Sequence, residues 1–279
     1  MNVSECQVTV VGLGLIGGSI ALGLMGKVGK VRGLDVSEDI LEHARKRRMA
    51  DELYLHPEDC LPHSDVVIVA LYPRQVEAFL LQNREYLRPK TLVMDVSSIK
   101  ERIVHAVQKI LPPEIEFLGT HPMAGREGRG IERAREEMFL GSYYLLTPTE
   151  KNTPWAIKKA TSLVELLGVL KVVTLTPKEH DALVSYTSQM PHVLASLLMN
   201  GFKDKSKYLV GGSFKDATRV ATINEDLWVE LFMQNKKYLL MEMDSFEDRW
   251  NDFKEALQKE DTAHLRRILQ QAKMFKDKL

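Results

Sequence analysis

Apolar positions along the chain follow two rhythms, and the change between them falls near Thr176-Pro177. Upstream, short β-branched or continuous apolar runs recur at 7–11, 31–35, 66–70, 91–95, 116–119, 143–147 and 170–175. The run at 66–70, VVIVA, is apolar at every position, as a parallel strand buried on both faces requires. Helical patterns separate these runs. Ser37 opens one that ends near Arg48, where basic residues suit the C-terminal dipole. Pro73 stands near the start of a second, Ser97-Ser98 begin a third running to about Ile110, and a fourth spans 154–167. Such alternation predicts an α/β doubly wound sheet with helices on both faces, occupying residues 1–176. Downstream the strand signals stop. Helical periodicity covers 178–202, 224–250 and the remainder to 278, with Leu227, Leu231, Leu239 and Met243 among charges on the middle helix. Residues 177–279 therefore read as an all-helical second domain. Its apolar faces exceed what a lid over one sheet needs, which predicts a homodimer surface; the alternative is a monomer whose helices satisfy one another.

No charge occurs between Glu5 and Lys27, a stretch long enough to raise the question of a membrane span. Six glycines (12, 14, 17, 18, 23, 26) make a poor span, and no cationic segment precedes them. The stretch instead holds Gly12-Leu13-Gly14-Leu15-Ile16-Gly17 between a strand and a helix. In that setting Gly12 permits the tight turn, Gly14 lets backbone approach a pyrophosphate, and Gly17 allows close helix–strand packing. Leu15 and Ile16 open the helix, whose unpaired N–H groups and positive dipole end favour phosphate. Asp35 follows Gly17 by 18 residues at the end of the second strand, where a carboxylate accepts from ribose hydroxyls and repels a 2′-phosphate. The expected cofactor is NAD rather than NADP. The bland reading, that Asp35 only caps the next helix, is weakened because Ser37 already fills that role.

Composition narrows the remaining classes. At 44% hydrophobic and 27% charged, the 279 residues are those of a soluble globular protein. Thirty-eight basic side chains balance 38 acidic ones, so there is no general field to attract nucleic acid or an anionic membrane. Cys6 and Cys60 have neither metal spacing nor a disulfide framework, which fits a reducing cytoplasm and no metal site. No targeting segment, repeat or low-complexity tract is evident.

Ligands of such sheets bind beyond the carboxyl ends of the strands, which here directs attention to 72–74, 95–100 and 120–130. His121-Pro122-Met123-Ala124-Gly125 is the most unusual segment: a histidine directly after a strand, on a stiff turn, can take the proton of a substrate hydroxyl near neutral pH. Alone, it is equally a histidine in an ordinary turn. Ser98 can bond both to this histidine and to the reacting hydroxyl, or merely cap its helix. Pro191 should kink the helix that carries Gln189 and His192. A glycine-led loop from Gly211 ends in Arg219, suited to bidentate carboxylate binding or to a surface ion pair. Arg126 and Arg129 lie among glycines close to the expected site.

The order GLGLIGGS, LDVS, DVSSIK, GTHPMAG, SQMPH and FKDATR, running from about residue 7 to 250, resembles the prephenate/arogenate dehydrogenase family of tyrosine biosynthesis. The glycine motif is shared with many dehydrogenases; GTHPMAG and FKDATR are the specific ones. The resemblance implies NAD-dependent oxidative decarboxylation of prephenate to 4-hydroxyphenylpyruvate, or of arogenate to tyrosine, by a cytoplasmic homodimer. It implies that His121 is the base for the C4 hydroxyl, that Ser98 orients His121 near the nicotinamide, that Arg219 binds a substrate carboxylate, and that His192 helps hold the substrate. Asp216 and Glu127 match an ionic network at the mouth of the site. Gln189 stands where many relatives have a second histidine, so a neutral substrate contact is expected there. Arg126 replaces a small hydroxyl residue and is expected to meet the side-chain carboxylate. Prephenate is expected over arogenate because the chain resembles the NAD-preferring bacterial branch and Asp35 fits that cofactor. The chain leaves no room after its last helix for a regulatory domain, so tyrosine inhibition is expected at the active site itself. The competing readings are an imine reductase or 3-hydroxyacid dehydrogenase, which the HPMAG turn and FKDATR oppose, and a nicotinamide-binding sensor without turnover. Nothing in periodicity or spacing specifies a cyclohexadiene.

Overall fold

The computed structural model describes residues 3–124, 128 and 130–278. Eight strands form one sheet: β1 (Gln7–Val11), β2 (Lys30–Leu34), β3 (Glu52–Tyr54), β4 (Val66–Val69), β5 (Leu92–Asp95), β6 (Glu116–Pro122), β7 (Tyr143–Thr147) and β8 (Lys171–Thr174). Their spatial order is 3-2-1-4-5-6-7-8. The first six are parallel; β7 pairs antiparallel with β6, and β8 runs parallel with β7. The sequence gives no sign of β3, a three-residue edge strand with no buried position, held partly by charge: Glu52 meets Lys30 at 2.6 Å and Arg32 at 2.9 Å. Helices α1 (Leu15–Leu24), α2 (Glu38–Lys46), α3 (Pro73–Asn83), α4 (Glu101–Ile110) and α5 (Pro154–Glu165) cover the sheet. Two separate buried clusters result, as expected when both faces of a sheet are covered. One joins Val8, Val10, Ile20, Leu24 and Leu163; the other joins Val67, Val69, Val76, Leu80 and Val104. Alternate residues of β1 and β4 therefore feed opposite layers.

Two expectations near the carboxyl edge need correction. Strand β6 continues through Pro122, with His121 opposite Leu145, so His121 is a strand residue rather than the first residue of a turn. Antiparallel pairing with β7 supplies the extra rungs. Helix α4 begins at Glu101 and not at Ser97-Ser98. Neither serine caps it; the first N–H groups of α4 are instead met by a carboxylate from the other half of the chain, described below.

That half contains α6 (Pro177–Val184), a π-helical turn (Ser185–Gln189), α7 (Met190–Asn200), α8 (Gly212–Thr218), α9 (Glu225–Gln234), α10 (Lys236–Gln258) and α11 (Thr262–Lys276). Pro191 lacks the N–H that an α-helix would place opposite Thr187, and the wider π turn lies immediately before it. The expected kink is thus a change of helical pitch. The segment from Gly211 is not a loop: it folds into α8, and Arg219 follows as its C-cap. The helix expected at 224–250 is broken at Asn235, which is 2% exposed and donates to Asp181 O and to Gln189 Oε1. Burial is sparse here: α9 buries Leu231, α10 buries Tyr238, Leu239 and Ala256, and α11 buries nothing. Among the described residues, no helix is long and apolar enough to cross a membrane.

Candidate active site

The turn after β1 has the geometry its glycines suggest. Gly12 sits at φ +84°, and a Cβ there would lie 2.7 Å from Ala70 O. At Gly17 a Cβ would lie 1.8 Å from Gly12 O, so α1 approaches the turn as only glycine permits. Gly14 differs: a Cβ there would meet nothing within 4 Å. It is the N-cap of α1, without a side-chain cap or an acidic residue in the first turn, so no side chain of the cap or first turn is spent on the leading N–H groups near Leu15 and Ile16. Asp35 accepts from Leu13 N at 2.9 Å and from Ser37 N at 3.0 Å, tying the second strand to the glycine turn. Ser37 caps α2, as expected, by accepting from Ile40 N. Asp35, Gly12, Leu55, Leu71 and Phe79 line a small cavity of about 80 Å³, with Val36 at its rim 91% exposed. An apolar slot ending in a carboxylate beside an anion-favouring helix end suits an adenosine diphosphate moiety, and these residues fit NAD.

Ser98 follows β5 and His121 ends β6, on the same carboxyl edge as the glycine turn. His121 keeps part of its surface exposed. Among the described residues no hydrogen bond joins it to Ser98; its Nδ1 lies 2.9 Å from Nε2 of His180, with the rings edge to face. His180 is fully buried, and its Nδ1 lies 2.7 Å from Asp181 Oδ1. The Asp181 carboxylate also accepts from Lys100 N and Glu101 N, both at 2.8 Å, and is the missing cap of α4. Burial pushes the His121 pKa well below the ordinary imidazole value, and the neighbouring His180 and Lys100 add to the effect. Lys100, also fully buried, donates to Asp95, to Ser97 Oγ and to Thr120 O, clamping the ends of β5 and β6 together. Burial lowers its pKa, opposed by Asp95.

In the helical half, His192 stacks on Trp228 with ring centroids 3.6 Å apart and donates from Nδ1 to Ser188 O at 2.8 Å. Burial lowers its pKa, the Ser188 carbonyl opposes this, and the charge of Arg219 lowers it further; the turn Arg219–Ala221 packs against α7, which carries His192. Arg219 and Asp216 are both exposed at the end of α8. Gln189 is a correction: it is 1% exposed, donates to Leu231 O and accepts from Asn235, so neither end of its amide is open to a substrate. At the buried end of the π turn, it acts as an internal brace. Arg126, Glu127 and Arg129 lie outside the described residues. Sequence reasoning missed His180, Asp181 and Lys100. Thr176-Pro177-Lys178-Glu179 does announce a helix start, and it forms a capping box. Nothing in that pattern says that the next two residues reach another domain.

Comparison with known proteins was made against this geometry. The family model described as "Prephenate dehydrogenase, nucleotide-binding domain" matches residues 20–174, and "Prephenate dehydrogenase, dimerization domain" matches residues 176–271. Prephenate dehydrogenase of Bacillus subtilis is 28% identical, over all of this chain and 77% of its own. The structure of the Aquifex aeolicus prephenate dehydrogenase, in complex with hydroxyphenyl propionate and NAD+, superposes with a TM-score of 0.90 at 27% identity, covering 100% of this chain and 99% of that one. Arogenate dehydrogenase of Synechocystis superposes at 0.87 with 28% identity, covering 98% and 99%.

Proposed function

The chain belongs to the prephenate dehydrogenase family, and from that premise we propose that it oxidatively decarboxylates prephenate to 4-hydroxyphenylpyruvate with NAD, a step of tyrosine biosynthesis. Residues 1–176 bind the nucleotide through Gly12, Gly14, Leu15, Ile16, Gly17 and Asp35; residues 177–279 supply substrate contacts and a dimer surface. NAD, when bound, takes up the hydride from C4 of the substrate. His121 accepts the proton of the C4 hydroxyl at Nε2, the ring nitrogen that its bond to His180 leaves open. Ser98 bonds the same hydroxyl, Arg219 holds a carboxylate, and His192, backed by Trp228, packs against the substrate. The ring carboxylate departs as carbon dioxide as the ring becomes aromatic, so the protein's task is orientation and removal of one proton. The observation that carries this reading is the position of His121: partly exposed at the carboxyl edge of the sheet that bears the glycine turn, with Nδ1 engaged and, among the described residues, no hydrogen bond to Nε2. The exposed apolar faces of α9–α11 support a homodimer, and the two buried free thiols, Cys6 and Cys60, support a cytosolic setting.

The test is NADH formation from prephenate and from arogenate, each with NAD and with NADP. Turnover of prephenate with NAD is expected. Turnover of arogenate alone overturns the substrate and keeps the chemistry; turnover of neither by folded, NAD-binding protein overturns the proposal.

A further inference from the structure

We infer that His180 and Asp181 are positioning residues that fix the imidazole of His121 in one tautomer, with Nδ1 protonated and Nε2 bare. The inference rests on the reading of His121 as the base. Two backbone N–H groups, those of Lys100 and Glu101, already donate to the Asp181 carboxylate at 2.8 Å. That carboxylate offers only lone pairs, so the proton in its 2.7 Å contact with His180 sits on His180 Nδ1. A neutral His180 must then present a lone pair at Nε2, and the 2.9 Å contact with His121 requires a proton on His121 Nδ1. One nitrogen of a neutral His121 is thereby committed, and the other is left bare.

The surroundings keep both rings neutral. Among the described residues, the titratable groups that face the pair are Lys100 at the start of α4, Asp95 from β5 and Asp181 from α6. Burial lowers the His180 pKa, with Lys100 on the same side and Asp181 and Asp95 opposing. Without an orienting partner a neutral imidazole distributes its proton between two nitrogens, and a base carrying that proton on the wrong one cannot accept another. The relay also crosses between the two halves of the chain: His121 stands on the sheet, whereas His180 and Asp181 belong to α6. Asp181 simultaneously caps α4, so docking of the helical half and preparation of the base are a single set of hydrogen bonds.

The test pairs a spectroscopic readout with kinetics. Imidazole nitrogen NMR of histidine-labelled protein, with His121 assigned by its loss in His121→Asn, should show the wild-type ring protonated at Nδ1. His180→Leu removes the acceptor and should lower kcat for prephenate by about 10²-fold or more, the usual worth of a placed base, with KM for both ligands little changed. His180→Gln should recover most of that kcat, because its amide N–H can donate to Asp181 while its carbonyl oxygen accepts from His121. A merely structural role predicts no such rescue. A wild-type His121 protonated at Nε2, or equal losses in the Gln and Leu variants, overturns the inference. If the wild type turns over neither prephenate nor arogenate, the functional reading falls, while the NMR result still decides the tautomer.

Discussion

At the scale of single residues, His121 combines two properties that usually exclude one another: it keeps a partly exposed edge, yet its surroundings hold it neutral. Burial is the main cause, with His180 and Lys100 reinforcing it. A base must be unprotonated to act, so activity is lost as pH falls through the His121 pKa and is retained above it. Because that value lies well below the ordinary imidazole range, kcat/KM for prephenate should still be near its plateau at pH 6.5, where an ordinary imidazole would be about half titrated. A pH profile showing half of the activity lost at or above pH 6.5 would contradict the environment described here. The Lys100 ammonium is itself held by Asp95, Ser97 and Thr120. Pattern reading found His121 but not the roles of His180 and Lys100, because a buried polar side chain is defined by its partners, and their partners are distant in sequence.

At the scale of elements, the glycine turn separates packing from binding. Gly17 and Gly14 are three residues apart in one motif, but a Cβ at Gly17 would collide with Gly12 O, whereas one at Gly14 would enter open space. Gly17→Ala should therefore lower the melting temperature, by about 2 °C for each kcal/mol of strain in a chain of this size. Gly14→Ala should leave the melting temperature unchanged and raise KM for NAD, since its methyl would stand where the backbone meets pyrophosphate. Thermal scans and initial rates on the two variants distinguish the cases; a destabilised Gly14→Ala with normal KM would refute the division. Helix α4 makes the same point about caps. Its sequence offers Ser97 and Ser98, but the acceptor for Lys100 N and Glu101 N comes from Asp181, 81 and 80 residues away. Ser97 is instead bonded to Asp95 and to Ile99 O.

At the scale of the whole molecule, the two halves differ in how they are stabilised. Residues up to about 170 close two buried clusters around the sheet, while α11 buries no residue and Trp250, Leu257, Leu269 and Phe275 lie 54–63% exposed. These exposed apolar side chains are the observation behind the proposed dimer. The 31.8 kDa chain should sediment at twice that mass, and a monomer at micromolar concentration would remove the dimer reading. The sequence by itself determined the alternation of strand and helix, the glycine turn, the carboxylate of Asp35 at the end of the second strand, and the switch to helix after Thr176. Each is a local signal, carried by periodicity or by residues a few positions apart. Only the tertiary structure decided that His121 bonds His180 rather than Ser98, that Gln189 braces a π turn, that α8 is a helix, and that Asp181 joins the two halves. Those outcomes depend on which polar groups lose water together, and desolvation is a property of packed neighbours, not of spacing along a chain.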